Sequence, residues 1–349
     1  MKKKVLIAMS GGVDSSVAAY LLKAKNYRVV GATIKTWAKE DCEIEKDRAC
    51  CSGDSIAYAK SVAHRLDIPH YVFDLSKQFE KNVINYFNDE YKHGRTPNPC
   101  ILCNSYIKFG ELFKRAEELG CEHIASGHYA RIGVNDDTGV YELRKAMDSQ
   151  KDQSYFLFNL KKHMLERILF PLGNAKKAEV RKIAKELDLK SHDRAASQDV
   201  CFRGGIFEER PGEIIFTSGK VLGRHIGVSH YTIGQRKGLG IAFREPLFVT
   251  GIDPKKNILY VGLKKDTLKK AITIDNVNWL LKKETPFRCN VKIRYRAKDA
   301  PAEIFSINKE VYRIKFQYGQ SSPAPGQAAV CYIDDVVIGG GWVKDVYGK

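Results

Sequence analysis

The apolar run Val5 to Met9 leads straight into Ser10-Gly11-Gly12-Val13-Asp14-Ser15-Ser16, after which Val17, Ala18, Leu21 and Leu22 recur at helical spacing. That is the signature of a buried strand, a tight turn and a helix. A strand with no polar interruption must be covered on both faces, so its sheet is parallel and layered between helices. The pattern repeats downstream. Val29 to Ile34 reads as a second buried strand, and Ile56, Ala59, Ala63 and Leu66 as one face of a helix. The stretch His70 to Leu75 reads as a further strand, and Phe79, Val83 and Phe87 open another helix. Leu112, Phe113, Ala116 and Leu119 mark a further helix closed by Gly120, followed by strand His123 to Ser126. The expectation is an α/β domain with a parallel sheet, whose ligands bind at the carboxyl ends of the strands.

From about Gly204 the texture changes. Short strands between Gly, Pro and Asp turns replace helices: Val221 to Leu222, Phe248 to Ile252, Ile258 to Val261, Asn290 to Tyr295, Val311 to Phe316 and Ala328 to Ile333. The division expected is an α/β domain over 1–205, a small central β domain over 206–270 and a C-terminal β-barrel over 271–349, with the charged stretch Lys264 to Lys270 as linker. A chain of 349 residues is long enough for two or three cores.

The turn after the first strand suits a phosphate. Two glycines let successive amides point inward, and the helix behind them adds its positive end. Ser10, Ser15 and Ser16 offer hydroxyl donors, and Asp14 can orient a loop amide or hold Mg²⁺. No lysine follows the glycines, so this is neither the lysine-bearing nucleotide loop nor the dinucleotide fingerprint. Without a lysine aimed at the terminal phosphate, attack at the α-phosphate with release of pyrophosphate is the expected chemistry.

The formal charge of +17, spread along the whole chain, calls for a polyanionic partner. Lys2 to Lys4 precede only a short apolar run, and no apolar stretch approaches the roughly 20 residues that cross a bilayer, so a cytosolic protein away from membranes is expected. Nine cysteines argue against a disulfide scaffold. Cys289 and Cys331 sit in apparent strands and read as buried apolar groups; Cys42, Cys50 and Cys51 form a looser cluster, in which Cys50-Cys51 reads as packing at a loop-to-helix junction. In Thr96-Pro97-Asn98-Pro99-Cys100-Ile101-Leu102-Cys103-Asn104, two prolines hold the chain extended before a thiol pair, with a helix expected to start at Asn104 and Lys108 one turn inside. A thiol so placed has a depressed pKa. A second thiol, Cys201, lies in Ser197-Gln198-Asp199-Val200-Cys201-Phe202-Arg203, just before the change to β texture.

The loop resembles the PP-loop of the ATP-pyrophosphatases, which by itself does not choose between amidating synthetases and RNA-modifying enzymes. Further segments narrow the resemblance. They are Thr96-Pro97-Asn98-Pro99-x-x-x-Cys103-Asn104, Ser126-Gly127-His128-Tyr129-Ala130-Arg131, Lys151-Asp152-Gln153-Ser154-Tyr155-Phe156-Leu157, the Cys201 segment, and Tyr231-Thr232-Ile233-Gly234-Gln235-Arg236-Lys237-Gly238. With Arg294-Tyr295-Arg296 and Pro325-Gly326-Gln327, they occur in the order found in the bacterial tRNA 2-thiouridylase family, over essentially the whole chain.

The resemblance implies an ATP site made by Ala8, Met9, Ser10, Gly11, Gly12, Val13, Asp14, Ser15, Ile34 and Gly127, with Ile34 where the family often has Met. It implies that Cys201 carries a persulfide sulfur and that Cys103 is the nucleophile that closes a disulfide with it. The implied tRNA contacts are Asn98, Pro99 and Cys100 at the target base, and His128, Lys151, Asp152, Gln153, Arg294, Tyr295 and Gln327 elsewhere. ATP with Mg²⁺, tRNA through its anticodon arm, and a sulfur-carrier protein or cysteine desulfurase are the implied cofactor and partners. One departure matters: many relatives have Asp where this chain has Cys100. Cys100, Cys103 and Cys201 together also fit an iron–sulfur cluster with an open position, which stays open beside the persulfide reading.

Overall fold

The computed structural model describes residues 2–36, 53–189 and 210–348. The chain forms two compact units. The first comprises Met1–Val83, Cys100–Arg203 and Asp335–Val337, and the second Ile84–Pro99, Gly204–Asp334 and Ile338–Lys349.

In chain order come β1 (Lys4–Ala8), α1 (Val13–Ala24), β2 (Arg28–Lys35), α2 (Gly53–Arg65), β3 (His70–Asp74) and α3 (Ser76–Phe79). A π-helical turn, Glu80–Ile84, precedes α4 (Asn85–Lys92), and α5 (Pro99–Leu102) precedes a π-helix, Cys103–Glu111, and α6 (Leu112–Glu118). Next are β4 (His123–Ser126), the hairpin β5 (Arg131–Val134) and β6 (Tyr141–Arg144), the short β7 (Ile168–Leu169), and α7 (Lys177–Glu186).

The sheet of the first unit has the order β3-β2-β1-β4-β7 with parallel pairing throughout. The apolar composition of β1 puts it at the centre. Ile7 lies between Gly31 and Ala125, and Ala8 between Ala32 and Ser126. Val5 and Ile7 face a core shared with Val17, Ala18 and Leu22 of α1, Ala59 and Val62 of α2, and Val180 and Ala184 of α7. Leu6, next along the pleat, faces the opposite side and is equally buried. Each Val, Leu or Ile so buried stabilises the fold by about 1.5–3 kcal/mol. The chain leaves β1 toward β2 on one side, while β4 flanks it on the other, so the order switches at the carboxyl end of β1. The strand expected at His70 to Leu75 is the edge strand, His70–Asp74, with Tyr71 and Val72 exposed.

In the second unit, β8 (Gly212–Phe216), β9 (Val221–His225), β10 (Phe248–Asp253) and β11 (Ile258–Gly262) form a sheet ordered β10-β11-β8-β9 around Ile214, Leu239, Val249, Leu259 and Val261. Six antiparallel strands come after it: β12 (Leu268–Trp279), β13 (Phe287–Lys292), β14 (Ala300–Ser306), β15 (Tyr312–Ser321), β16 (Ala328–Ile333) and β17 (Val336–Tyr347). Their order is β12-β15-β14-β13-β16-β17, and β17 pairs back onto β12, which closes a barrel and removes its edges. Cys289 and Cys331 are buried within it, as their strand setting implied. The stretch 264–270 is not a simple linker. Lys264–Thr267 forms a 3-10 turn, held by Asp266 Oδ2 accepting Leu263 N–H at 2.9 Å, and Leu268 already begins β12. Among the described residues no helix is long and apolar enough to cross a membrane.

The α4 region is bound into the second unit by polar contacts. Thr96 N–H donates to Pro325 O at 2.8 Å. Arg95 grips Glu90 with both arms of its guanidinium, Nε to Oε2 at 2.9 Å and Nη2 to Oε1. Glu90 is only 8% exposed, so its charge depends on that partner. Arg95→Ala is expected to destabilise the protein by about 2 kcal/mol, and adding Glu90→Gln should return much of the loss. Denaturation midpoints of the two single variants and the double variant check this.

Candidate functional site

The loop after β1 is shaped by its own hydroxyls. Ser16 Oγ donates to Gly12 O at 2.9 Å and Ser15 Oγ to the same oxygen at 3.1 Å, while Ser10 N–H donates to Ser15 Oγ at 3.2 Å. Ser15 and Ser16 are both buried. Their hydroxyls, expected to serve as donors to a ligand, are therefore spent on the turn, which leaves the backbone amides and the exposed Ser10 hydroxyl as the loop's donors. Gly12 is the N-cap of α1 with no side-chain cap, so the first-turn N–H groups of that helix stay available to an anion.

Two glycines are demanded by close approach. Gly11 has φ +73°, and a Cβ there would sit 2.4 Å from Ser55 O. Gly127, just past the end of β4, would bring a Cβ within 2.8 Å of Ser15 N and 2.9 Å of the Asp14 carbonyl carbon. The carboxyl ends of β1 and β4 thus press their following loops together. Ile34 is half-buried near the same end of β2.

Asp14 carries the site's charge. Its Oδ1 accepts the Tyr129 hydroxyl at 2.9 Å and the Lys177 ammonium. Burial first, and the Asp14 carboxylate second, push the Tyr129 phenol far up, so it remains a donor. Gln153 holds Tyr129 from behind: its Oε1 accepts Tyr129 N–H at 2.9 Å, and its own N–H donates to Tyr129 O at 2.8 Å. Asp152 is buried and accepts from Ala146 N, Ser154 N and Ser154 Oγ at 3.0, 3.2 and 2.9 Å. Lys151 is half-buried beside them. Lys177 and Tyr129 were not among the residues the sequence singled out. The glutamine and tyrosine segments gave a faint signal for Tyr129, and nothing local marked Lys177.

His128 sits deeper than a strand-end position suggested. It is 8% exposed, its Nδ1 lies 2.7 Å from Ser126 Oγ, and Phe109 and Phe170 flank the ring with centroids at 6.1 Å. Burial, with the Lys108 ammonium adding to it, pushes the imidazole well below its ordinary range. A direct RNA contact by His128 would require this ring to be uncovered.

The thiol pair is helical from the start. Pro99 opens α5, where a proline's missing N–H costs nothing, so Cys100 lies in the first turn and Cys103 a turn further, opening the π-helix. The expected helix start at Asn104 is corrected accordingly. Cys100 is exposed and Cys103 partly so. Asn104 Nδ2 donates to Phe156 O at 3.2 Å, and Ser105 Oγ to Ile101 O at 2.9 Å, which tethers the widened turns. Cys42, Cys50, Cys51 and Cys201 lie outside the described residues. Among the described residues no group of three or more His, Cys, Asp and Glu is arranged to hold a metal.

In the second unit, Gln327 Nε2 donates to Thr96 O at 3.0 Å and Pro97 O at 3.3 Å, which fixes the segment carrying Asn98 and Pro99. Arg294 Nη2 donates to Ile233 O at 2.7 Å and Ser322 O at 2.6 Å. Tyr295 has the Lys292 ammonium 5.7 Å from its ring centroid. Both Gln327 and Arg294 therefore act here as clasps on the backbone of neighbouring segments.

Family models match along the chain: a tRNA methyl transferase HUP domain over residues 3–205, a tRNA methyl transferase PRC-barrel domain over 202–263, and an aminomethyltransferase beta-barrel domain over 269–343. The chain is 43% identical over 357 residues to tRNA-specific 2-thiouridylase MnmA of Clostridioides difficile (strain 630), covering 99% of each. It is 43% identical to the protein of that name in Acetivibrio thermocellus, over 98% of this chain and 99% of the relative. It is 45% identical to tRNA-specific 2-thiouridylase MnmA 2 of Thermoanaerobacter sp. (strain X514), over 99% of this chain and 98% of the relative.

Gly127→Ala must displace the backbone of Asp14 and Ser15, so it is expected to weaken binding of inorganic pyrophosphate by about tenfold or more, about 1.4 kcal/mol. Titration calorimetry measures the loss, and unchanged affinity would mean the loop does not hold the phosphates.

Proposed function

The chain belongs to the tRNA-specific 2-thiouridylase family, and from that premise we propose that it makes 2-thiouridine at the wobble position, U34, of tRNA, using ATP and releasing AMP and pyrophosphate. The observation that carries this reading is the relatives' identity of 43% over 99% of the chain, joined to a loop that offers an anion backbone amides, the exposed Ser10 hydroxyl and a helix N-terminus. In this reading 1–205 is the ATP-binding catalytic domain, 206–270 a central β domain and 271–349 a barrel that meets tRNA.

Ala8, Met9, Ser10, Gly11, Gly12, Val13, Asp14 and Ser15 hold the triphosphate, with Ile34 and Gly127 beside the nucleotide. Asp14 would be the carboxylate near a Mg²⁺ bound with the phosphates, an ion that would screen their charge. The uridine C2 oxygen is a poor leaving group, and adenylation makes it a good one. Cys201 carries a sulfane sulfur delivered by a sulfur-carrier protein or cysteine desulfurase. That sulfur attacks C2, the C2–O bond breaks, and AMP departs. Cys103 attacks the Cys201 sulfur, which breaks the S–S bond of the persulfide and leaves a Cys103–Cys201 disulfide for an external thiol to reduce. The base must leave its stack to be reached, which an anticodon loop permits at low cost. Asn98, Pro99 and Cys100 lie at the base, and His128, Lys151, Asp152, Gln153, Arg294, Tyr295 and Gln327 form or support the tRNA surface. The work is done in the cytoplasm, on a substrate that the chain's +17 charge attracts.

Cys201→Ser is expected to abolish thiolation while leaving ATP and tRNA binding nearly intact, as read by nucleoside mass spectrometry and filter binding. Pyrophosphate release that does not depend on tRNA would instead favour another PP-loop ligase, and no release with or without tRNA would favour a protein that holds ATP structurally. Anaerobically purified protein is expected to lack iron and sulfide. Stoichiometric iron and sulfide required for turnover would replace the persulfide route with a cluster on Cys100, Cys103 and Cys201.

A further inference from the structure

We propose that Lys177 is the phosphate-contacting cation of the nucleotide site, supplying from α7 the positive charge that the loop after β1 lacks in sequence. The inference rests on the ATP reading above and deepens it. Lys177 lies 163 positions from Asp14, yet its ammonium bonds the same carboxylate oxygen that accepts the Tyr129 hydroxyl. The Lys177 side chain is 13% exposed, so the ammonium has lost most of its water.

Its location is unfavourable unless something repays it. Lys177 is the first residue of α7, where the helix dipole favours acidic groups over cations. The helix start is satisfied without the ammonium, since Asp148 Oδ2 accepts Lys177 N–H at 2.9 Å and Glu179 Oε2 accepts Lys176 N–H at 2.7 Å. Nor is the ion pair needed to seat α7 on α1, because Val180 and Ala184 already share an apolar core with Val17 and Ala18. The Asp14 carboxylate, with the Tyr129 ring centroid 5.8 Å away, holds this dehydrated cation against the phosphate loop, where its remaining N–H donors can meet an anion. An ammonium has three N–H donors, and it reaches a phosphate as a point charge without needing a fixed fork geometry.

The step that uses it balances simply. The uridine C2 oxygen forms a bond to the α-phosphorus, and the bond from that phosphorus to the bridging oxygen breaks. The electron pair leaves on pyrophosphate, and the N3 proton is lost to solvent. The charge gained by the departing pyrophosphate lies over the loop amides and the Lys177 ammonium, which stays protonated throughout.

The test uses the full-length protein with Lys177→Met and Lys177→Arg. Three quantities are read: pyrophosphate release at saturating ATP with tRNA, inhibition by inorganic pyrophosphate, and AMP affinity by calorimetry. Lys177→Met is expected to lower kcat for pyrophosphate release by about 100-fold. It should weaken pyrophosphate inhibition by about tenfold while AMP affinity stays within about twofold, and Lys177→Arg should restore most of both effects. Equal weakening of AMP and pyrophosphate, or unchanged pyrophosphate release, overturns the proposal, as does failure of Lys177→Met and of a further variant, Lys177→Gln, to fold, which would mark a structural bolt. Wild-type protein that binds neither pyrophosphate nor AMP would sink the ATP reading itself, an outcome distinct from any of these.

Discussion

The approach of Gly127 to the backbone of Asp14 and Ser15 is the contact on which the first unit's chemistry depends. Two parallel neighbours, β1 and β4, end at the same level, so their loops must share one small space. A side chain at position 127 would occupy the place of the Ser15 amide. Because both loops emerge from buried central strands, neither can retreat without breaking the sheet. The rigid floor of the site is therefore set by strand order, and the serine hydroxyls turned onto Gly12 O hold its contour.

Behind that floor runs a chain of polar contacts from Gln153 through Tyr129 to Asp14 and Lys177. Each member is held by the next. Asp152 fixes the turn that delivers Gln153, Gln153 fixes Tyr129, and Tyr129 donates to Asp14. Residues that read from sequence as an RNA-facing segment are thus, in part, the support of the phosphate loop. In the second unit Gln327 and Arg294 perform comparable work on the 96–97 backbone and on Ile233 and Ser322. Side chains that bind backbone carbonyls in this way fix the course of neighbouring loops more firmly than apolar packing alone.

The thiol segment shows how one residue redirects a reading. Two prolines suggested an extended approach to a helix beginning at Asn104, but Pro99 is itself the first helical residue. That shift moves Cys100 into the first turn and sets Cys103 at the start of wider π turns, where Asn104 and Ser105 reach carbonyls of neighbouring segments. A proline both extends the residue before it and can start a helix after it, and a local sequence does not separate the two roles. The surrounding contacts decided between them.

The features that the sequence determined by itself were periodic and local. The strand–glycine loop–helix unit, the parallel sheet and the turn to β structure after Gly204 arise from burial patterns that repeat every two or 3.6 residues. The expectation of an anion at the loop was equally local, resting on two glycines before a helix. Only the tertiary structure decided the pairing across long separations: Lys177 with Asp14, Gln327 with Thr96, and His128 enclosed by Phe109 and Phe170. No local pattern encodes such contacts, because which distant side chain meets a charge depends on how whole strands and helices are stacked.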